Sequence, residues 1–144
     1  MTVSVYIDTS ALAKWYLNEE NSEQFVKYIK SVHRAIISSL TITEMRSLLS
    51  RRRRMQELDY SLETQIFATF LMDIDQGFLV VEPIQNHYFE EATHLISNLH
   101  DVPLRTLDAL HLTVMMHQHI KTLATADQAM ITAAKMLKLD VKSF

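Results

Sequence analysis

Short apolar runs recur along the chain at residues 3–7, 36–37, 79–81, 122–124 and 141–143, and stretches of helical periodicity separate them. The runs are rich in β-branched residues and nearly continuous in apolar character. That pattern belongs to strands buried on both faces of a parallel sheet, not to half-exposed strands that alternate. Between them, apolar positions repeat at helical spacing. Phe25, Ile29 and Val32 share one face, Leu62, Ile66, Phe70 and Ile74 another, Tyr88, Ala92, Leu95 and Leu99 a third, and Leu107, Leu110 and Val114 a fourth. Strand and helix patterns in alternation predict a doubly wound α/β domain of about five strands, with right-handed crossovers laying helices on both faces.

Punctuation is sparse. One glycine (Gly77) and two prolines (Pro83, Pro103) leave room only for short loops. Gly77 is expected to end a helix over 61–75, and Pro103 to separate a helix ending near His100 from the next. A glycine-rich phosphate cradle is impossible, which excludes a P-loop or a dinucleotide fingerprint. No repeat, low-complexity tract or linker interrupts the chain, so residues 1–144 are read as one domain.

Composition changes this picture little. Hydrophobic residues make up 48% and charged residues 22%, as in ordinary soluble domains. No apolar stretch approaches the roughly 20 residues of a membrane span, and the amino terminus lacks the pattern of a signal peptide. Without cysteine there is no disulfide framework and no thiolate metal site. A cytoplasmic protein with no membrane partner is the expectation. The net charge of −3 is not that of a plainly basic nucleic-acid binder.

Four acids qualify that charge argument: Asp8, Glu44, Asp108 and Asp127. Each falls where a strand hands over to a helix or just inside a helix. Without them, 13 acidic residues face 14 basic ones, the balance of an acidic pocket in a weakly basic surface. In an open α/β sheet, ligands bind outside the carboxyl ends of the strands, so scattered acids at those ends can converge. Two such charges about 5 Å apart repel by roughly 3 kcal/mol at an effective dielectric near 20. A hard divalent cation such as Mg²⁺ or Mn²⁺ relieves that repulsion through oxygen ligands.

Each acid also has a plain structural reading. Thr41-x-x-Glu44 and Thr125-x-x-Gln128 match capping boxes, the second placing Asp127 in a first turn, and Thr106 is positioned to cap a helix with Asp108 nearby. An acid in a first turn stabilises the helix dipole by about 0.3–1 kcal/mol. Asp8, directly ending a buried strand, fits that reading least well.

The residue strings carry a resemblance. Val5-Tyr6-Ile7-Asp8-Thr9-Ser10-Ala11-Leu12 resembles the opening strand and helix of PIN-domain ribonucleases. Arg105-Thr106-Leu107-Asp108-Ala109-Leu110-His111-Leu112 is similar to their third acidic motif, especially in VapC-type toxins of toxin–antitoxin pairs. Thr125-Ala126-Asp127 is similar to the fourth motif, and Thr43-Glu44 occupies the place of the second. The stretch 18–22 lacks the proline common in the family, which touches a loop and none of the acids.

The resemblance implies a PIN-like three-layer domain and Mg²⁺- or Mn²⁺-dependent endonucleolytic cleavage of RNA. It places Asp8 and Asp108 as direct metal ligands, with Asp127 completing the site directly or through water, or holding a second metal. Glu44 would position or deprotonate the attacking water, or hold a metal-bound water. Ser10 and Thr125 offer hydroxyls to orient these carboxylates. As partners it implies a small antitoxin protein and a second copy of the chain in a homodimer. The antitoxin would lay an apolar helix in a groove near residues 10–60 and send a basic side chain toward Asp8 and Asp108. Two other functions fit the residues less well. A phosphoaspartate-forming phosphatase needs Asp-x-Asp where this chain has Asp8-Thr9-Ser10, and a non-catalytic interaction module would not need all four acids.

Arginines 51–54 form the one strong charge run. Four consecutive arginines cover much of a helix circumference and most are expected in solvent. Arg51, seven residues after Glu44, points roughly the same way about 10.5 Å further along a helix, the reach to a neighbouring phosphate; a dimer or partner contact is the other reading. His117 and His119, two apart, face different ways on a helix. His111 shares a face with Asp108 but lies beside the apolar stripe, where a packed, hydrogen-bonded histidine is expected. Trp15 and Tyr16 are read as core or interface residues, and the methionines as core filler.

Overall fold

The computed structural model describes residues 3–144. Its strands are β1 (Ser4–Ile7), β2 (Arg34–Ser38), β3 (Leu79–Glu82), β4 (Thr122–Thr125) and β5 (Asp140–Ser143). The helices are α1 (Thr9–Tyr16), α2 (Ser22–Lys30), α3 (Ser39–Arg54), α4 (Tyr60–Asp75), α5 (Tyr88–Asn98), α6 (Thr106–His117) and α7 (Gln128–Met136). All strand pairings are parallel, in the order β3-β2-β1-β4-β5. The chain therefore builds outward from β1 to one side and later returns to its other side. The reversal lies between β1 and β4, and the crevice beyond the carboxyl ends of those two strands is where such sheets bind ligands.

Side-chain alternation explains why the inner strands β1, β2 and β4 are mostly apolar, while the edge strand β5 is mostly polar and exposed. Tyr6 points to one face, where it packs with Ile36 and Leu123 among α5, α6 and α7. Val5 and Ile7 point to the other and pack with Ile37, Ala124, Phe25, Met45 and Phe70 among α1 to α4. Each face buries its own cluster.

Several expectations need correction: β5 is a mostly exposed edge strand rather than a buried one, and Met55, Met72, Met116 and Met136 are exposed rather than core filler. The first strand begins at Ser4, and Val3 is 51% exposed outside the sheet. Leu62 and Leu107 do not join the buried stripes and are 44% and 41% exposed. Leu62 sits in the first turn of α4, on a helix in which only Glu63 and Phe70 are fully buried. Leu107 sits in the first turn of α6. The rest of that helix departs from a simple stripe, because Ala109 through Met115 are all buried, as in a helix enclosed on every side. Gly77 behaves as expected: at φ +83° it closes α4, with Phe78 N–H bonding Asp73 O at 2.9 Å and Gly77 N–H bonding Ile74 O at 3.0 Å. Among the described residues no helix is long and apolar enough to cross a membrane.

Candidate active site

Three of the four acids stand at helix amino termini facing the crevice between β1 and β4. Asp8 follows β1 and caps α1, its Oδ1 accepting from Ala11 N–H at 3.1 Å. Ser10 donates to the same oxygen at 2.7 Å and Thr125, at the end of β4, to Oδ2 at 2.6 Å. Burial pushes the Asp8 carboxyl above its ordinary range, and these donors oppose the shift without cancelling it. Asp127 caps α7, its Oδ1 accepting from Ala129 N–H (2.8 Å) and Met130 N–H (3.2 Å). Asp108, in the first turn of α6, reaches back to Arg105 N–H at 3.3 Å through Oδ2. Burial raises its carboxyl, and the charge of Asp127 adds to the rise. Thr125 and Ser10 tie the two sides together: Thr125 Oγ1 accepts from Asp127 N–H (3.0 Å), and Ser10 Oγ from Ala126 N–H (2.9 Å).

The capping and pocket readings are therefore compatible. Capping spends one oxygen each of Asp108 and Asp127, and these bonds leave the other free. The positive ends of α1, α6 and α7 offset part of the mutual repulsion.

Glu44 is the exception. The amino terminus of α3 is closed by Ser38 and Thr41, whose hydroxyl accepts from Ser38 N–H at 3.2 Å. Thr41 thus occupies the third position itself, and Glu44 lies in the second turn. The capping-box reading of Glu44 falls, and so do those of Thr125 and Thr106, because Asp127 and Arg105 occupy the cap positions of their helices. Glu44 Oε1 instead accepts from Thr9 Oγ1 at 2.8 Å and from His111 Nε2. Burial works to raise the Glu44 carboxyl, but the His111 contact and the Thr9 hydroxyl outweigh it and hold the group below its ordinary value.

His111 is the residue that sequence reasoning undervalued. It is packed and hydrogen-bonded, 2% exposed, and it also stands among the acids, where its hydrogen bond helps hold the Glu44 carboxyl down. Its Nδ1 meets the Tyr6 hydroxyl at 2.6 Å. Burial drives the Tyr6 phenol far above its usual range, so it stays a donor. The network then assigns a proton to Nε2, facing Glu44. The sequence signal was the i, i+3 spacing from Asp108; the partners Glu44 and Tyr6 are 67 and 105 residues distant.

The arginine run divides. Arg52 pairs with Glu19 (2.8 Å) and Glu57 (2.9 Å), and Arg53 pairs with the buried Glu63, which Arg46 also meets at 2.9 Å. Arg54 contacts Ser50. Arg51 is exposed and makes no ion pair among the described residues. An apolar groove of about 410 Å³ is lined by Leu12, Trp15, Tyr16, Phe25, Ile29 and Phe78 among others. It includes the expected aromatics but opens beside the beginnings of β2 and β3, the sheet edge away from the acids.

The model of the PIN domain matches residues 5–136, a span that holds all four acids. The chain belongs to the PIN-domain family. It is 28% identical to the ribonuclease VapC46 of Mycobacterium tuberculosis over 149 aligned positions, covering 96% of this chain and 95% of that protein. Among solved structures, VapC20 of M. tuberculosis, a toxin that cleaves the sarcin–ricin loop, superposes with a TM-score of 0.74 at 18% identity, over 90% of this chain and 94% of VapC20. VapBC2 of Rickettsia felis, solved on a DNA fragment from its promoter, gives 0.69 at 13% identity, with 99% of both chains covered. At these identities the structural likeness shows a shared fold. The PIN architecture accounts for the three-layer arrangement.

Proposed function

We propose that this PIN domain is a divalent-metal-dependent endoribonuclease and the toxin of a toxin–antitoxin pair. The observation that carries the reading is the assembly of Asp8, Glu44, Asp108 and Asp127 around one crevice of a PIN domain related end to end to a ribonuclease. The donor set fits Mg²⁺ or Mn²⁺: carboxylate and hydroxyl oxygens only, with the Asp8 carboxyl held high by burial and the Asp108 carboxyl by burial and the neighbouring Asp127 charge. Among the described residues, no three of these acids bring oxygens within 4.8 Å of one another. Mg²⁺ usually keeps several waters and takes only one or two carboxylates directly, so three converging acids are not required. Asp8 and Asp108 are the proposed direct ligands, and Asp127 the third, directly or through water. When bound, such an ion polarises the scissile phosphate and lowers the pKa of the attacking water.

The chain's own residues do the rest. Ser10 and Thr125 fix the orientation of Asp8. Glu44 keeps Oε2 outside its bonds to Thr9 and His111 and presents it as an acceptor for the nucleophilic water. Geometry leaves Oε2 open to orient the water or to take its proton; the lowered carboxyl, a weaker base, favours the positioning role. Arg51, on the same helix, is free to meet a flanking phosphate.

A small antitoxin and a second copy of the chain are the proposed partners, and the cytoplasm is the proposed location. The exposed apolar side chains Tyr60, Leu62, Leu71 and Met72 on α4 support a protein contact there. The groove by Trp15 and Tyr16 suits an apolar helix, whose continuation would have to cross the length of α1 to bring a basic group to Asp8. Arginine suits that role, since its guanidinium pairs bidentately with carboxylates. Induced expression of the chain alone should arrest growth, and Asp8→Asn or co-expression with the adjacent reading frame should relieve the arrest. Normal growth, with no partner co-purifying, contradicts the toxin role while leaving the nuclease reading open to assay in vitro.

A further inference from the structure

We infer that His87, Glu91 and His117 form a second metal site, for a first-row transition dication such as Zn²⁺, distinct from the acidic crevice. One ligand atom from each residue lies within 4.8 Å of the others. His87 and Glu91 come from the amino-terminal end of α5, and His117 is the last residue of α6. Asp108 lies nine residues earlier on α6, roughly 13.5 Å along the helix axis, so the two sites sit at opposite ends of that helix. Within-helix spacing gave no hint of this grouping, because its third member arrives from a neighbouring helix.

The donor chemistry differs from that of the crevice. Two imidazoles and one carboxylate suit zinc, copper or nickel, whereas Mg²⁺ prefers oxygen alone. Three protein ligands with an open fourth position is a recurrent zinc arrangement. The His117 ring is already fixed: it stacks on the buried Tyr88 at 4.5 Å between centroids and meets the edge of His87 at 5.4 Å. The site opens into a groove of about 510 Å³ that His94 and His119 also line. In this structure Glu91 is hydrogen-bonded to His117. Two ligands of one zinc stand about 3.3 Å apart, given bonds near 2.0–2.1 Å. Loading the ion therefore requires the exposed Glu91 side chain to draw back and exchange that bond for coordination.

Titration with Zn²⁺ in saturating Mg²⁺, followed by calorimetry and melting temperature, tests the site. The parent should take up one equivalent and melt about 5 °C higher. Asp108→Asn should retain the effect, while His87→Gln and Glu91→Gln should bind at least 10-fold more weakly with unchanged Mg²⁺-supported activity. With Co²⁺ in place of Zn²⁺, visible absorption should appear in the parent and not in His87→Gln. No uptake by the parent, or uptake indifferent to His87→Gln, overturns the proposal. So does a binding loss in Asp108→Asn, which would place the zinc among the acids. If Glu91→Gln alone weakens the protein, equally with and without zinc, the cluster is a Glu–His pair only.

Discussion

Glu44 and Asp108 occupy opposite electrostatic positions although both are half-buried acids in one crevice. Asp108 has Asp127 beside it and its nearest fixed donor is a single backbone N–H, so its charge is disfavoured. Glu44 has an imidazole and a hydroxyl on one oxygen and is favoured as an anion. The pair illustrates how neighbours, not burial alone, separate the roles of similar groups. The assignment of Glu44 as a positioning anion has a direct consequence. Glu44→Gln keeps the size and one acceptor but loses the charge, and cleavage should fall on the order of 100-fold or more with the melting temperature little changed. Single-turnover kinetics on labelled RNA would read this, and full activity in Glu44→Gln would remove Glu44 from the reaction.

The elements explain which part of this was legible beforehand. The strand runs and the helices between them could be read from apolar periodicity because the central strands β1, β2 and β4 are buried at nearly every position, whereas the edge strand β5 is mostly exposed and left only a weak trace. The acids at the ends of β1 and β4 followed from the rule for open sheets. Helix caps were harder, since a Thr three residues before an acid looks the same whether it lies at the cap or one turn inside. Ser38 closes α3 one turn before Thr41 was expected to, and so Glu44 is released for His111. The arginine run was also ambiguous, because its partners Glu19 and Glu63 come from other elements. Glu63, 1% exposed, joins α4 to α3 through Arg46 and Arg53 in close charge contacts that lack aligned hydrogen-bond geometry. Its loss leaves two arginines that are partly exposed and can be rehydrated, so Glu63→Gln should cost about 1–3 kcal/mol, below the cost of stranding a fully buried charge. Arg51→Ala should leave urea stability unchanged and raise KM for RNA. The reverse pattern, a destabilised Arg51→Ala and an indifferent Glu63→Gln, would contradict this division of the run.

For the whole molecule, the topology is what turns four acids distributed across 120 residues of chain into one site. The reversal between β1 and β4 places Asp8 and Asp127 side by side, α6 delivers Asp108 with His111 one turn later, and α3 brings Glu44 up to that histidine. Long-range pairings of this kind leave no periodic trace in a sequence, which is why the contacts of His111 with Glu44 and Tyr6 surfaced only in three dimensions. The central claim is that the assembly cuts RNA internally and needs a divalent ion held by its acids. Purified protein should therefore be incubated with an end-labelled RNA in Mg²⁺ or Mn²⁺, in chelator, and as the Asp108→Asn variant with its fold verified. Discrete internal cleavage in metal, lost in chelator and in Asp108→Asn, is the predicted result; cleavage that persists in chelator or in the variant would contradict it.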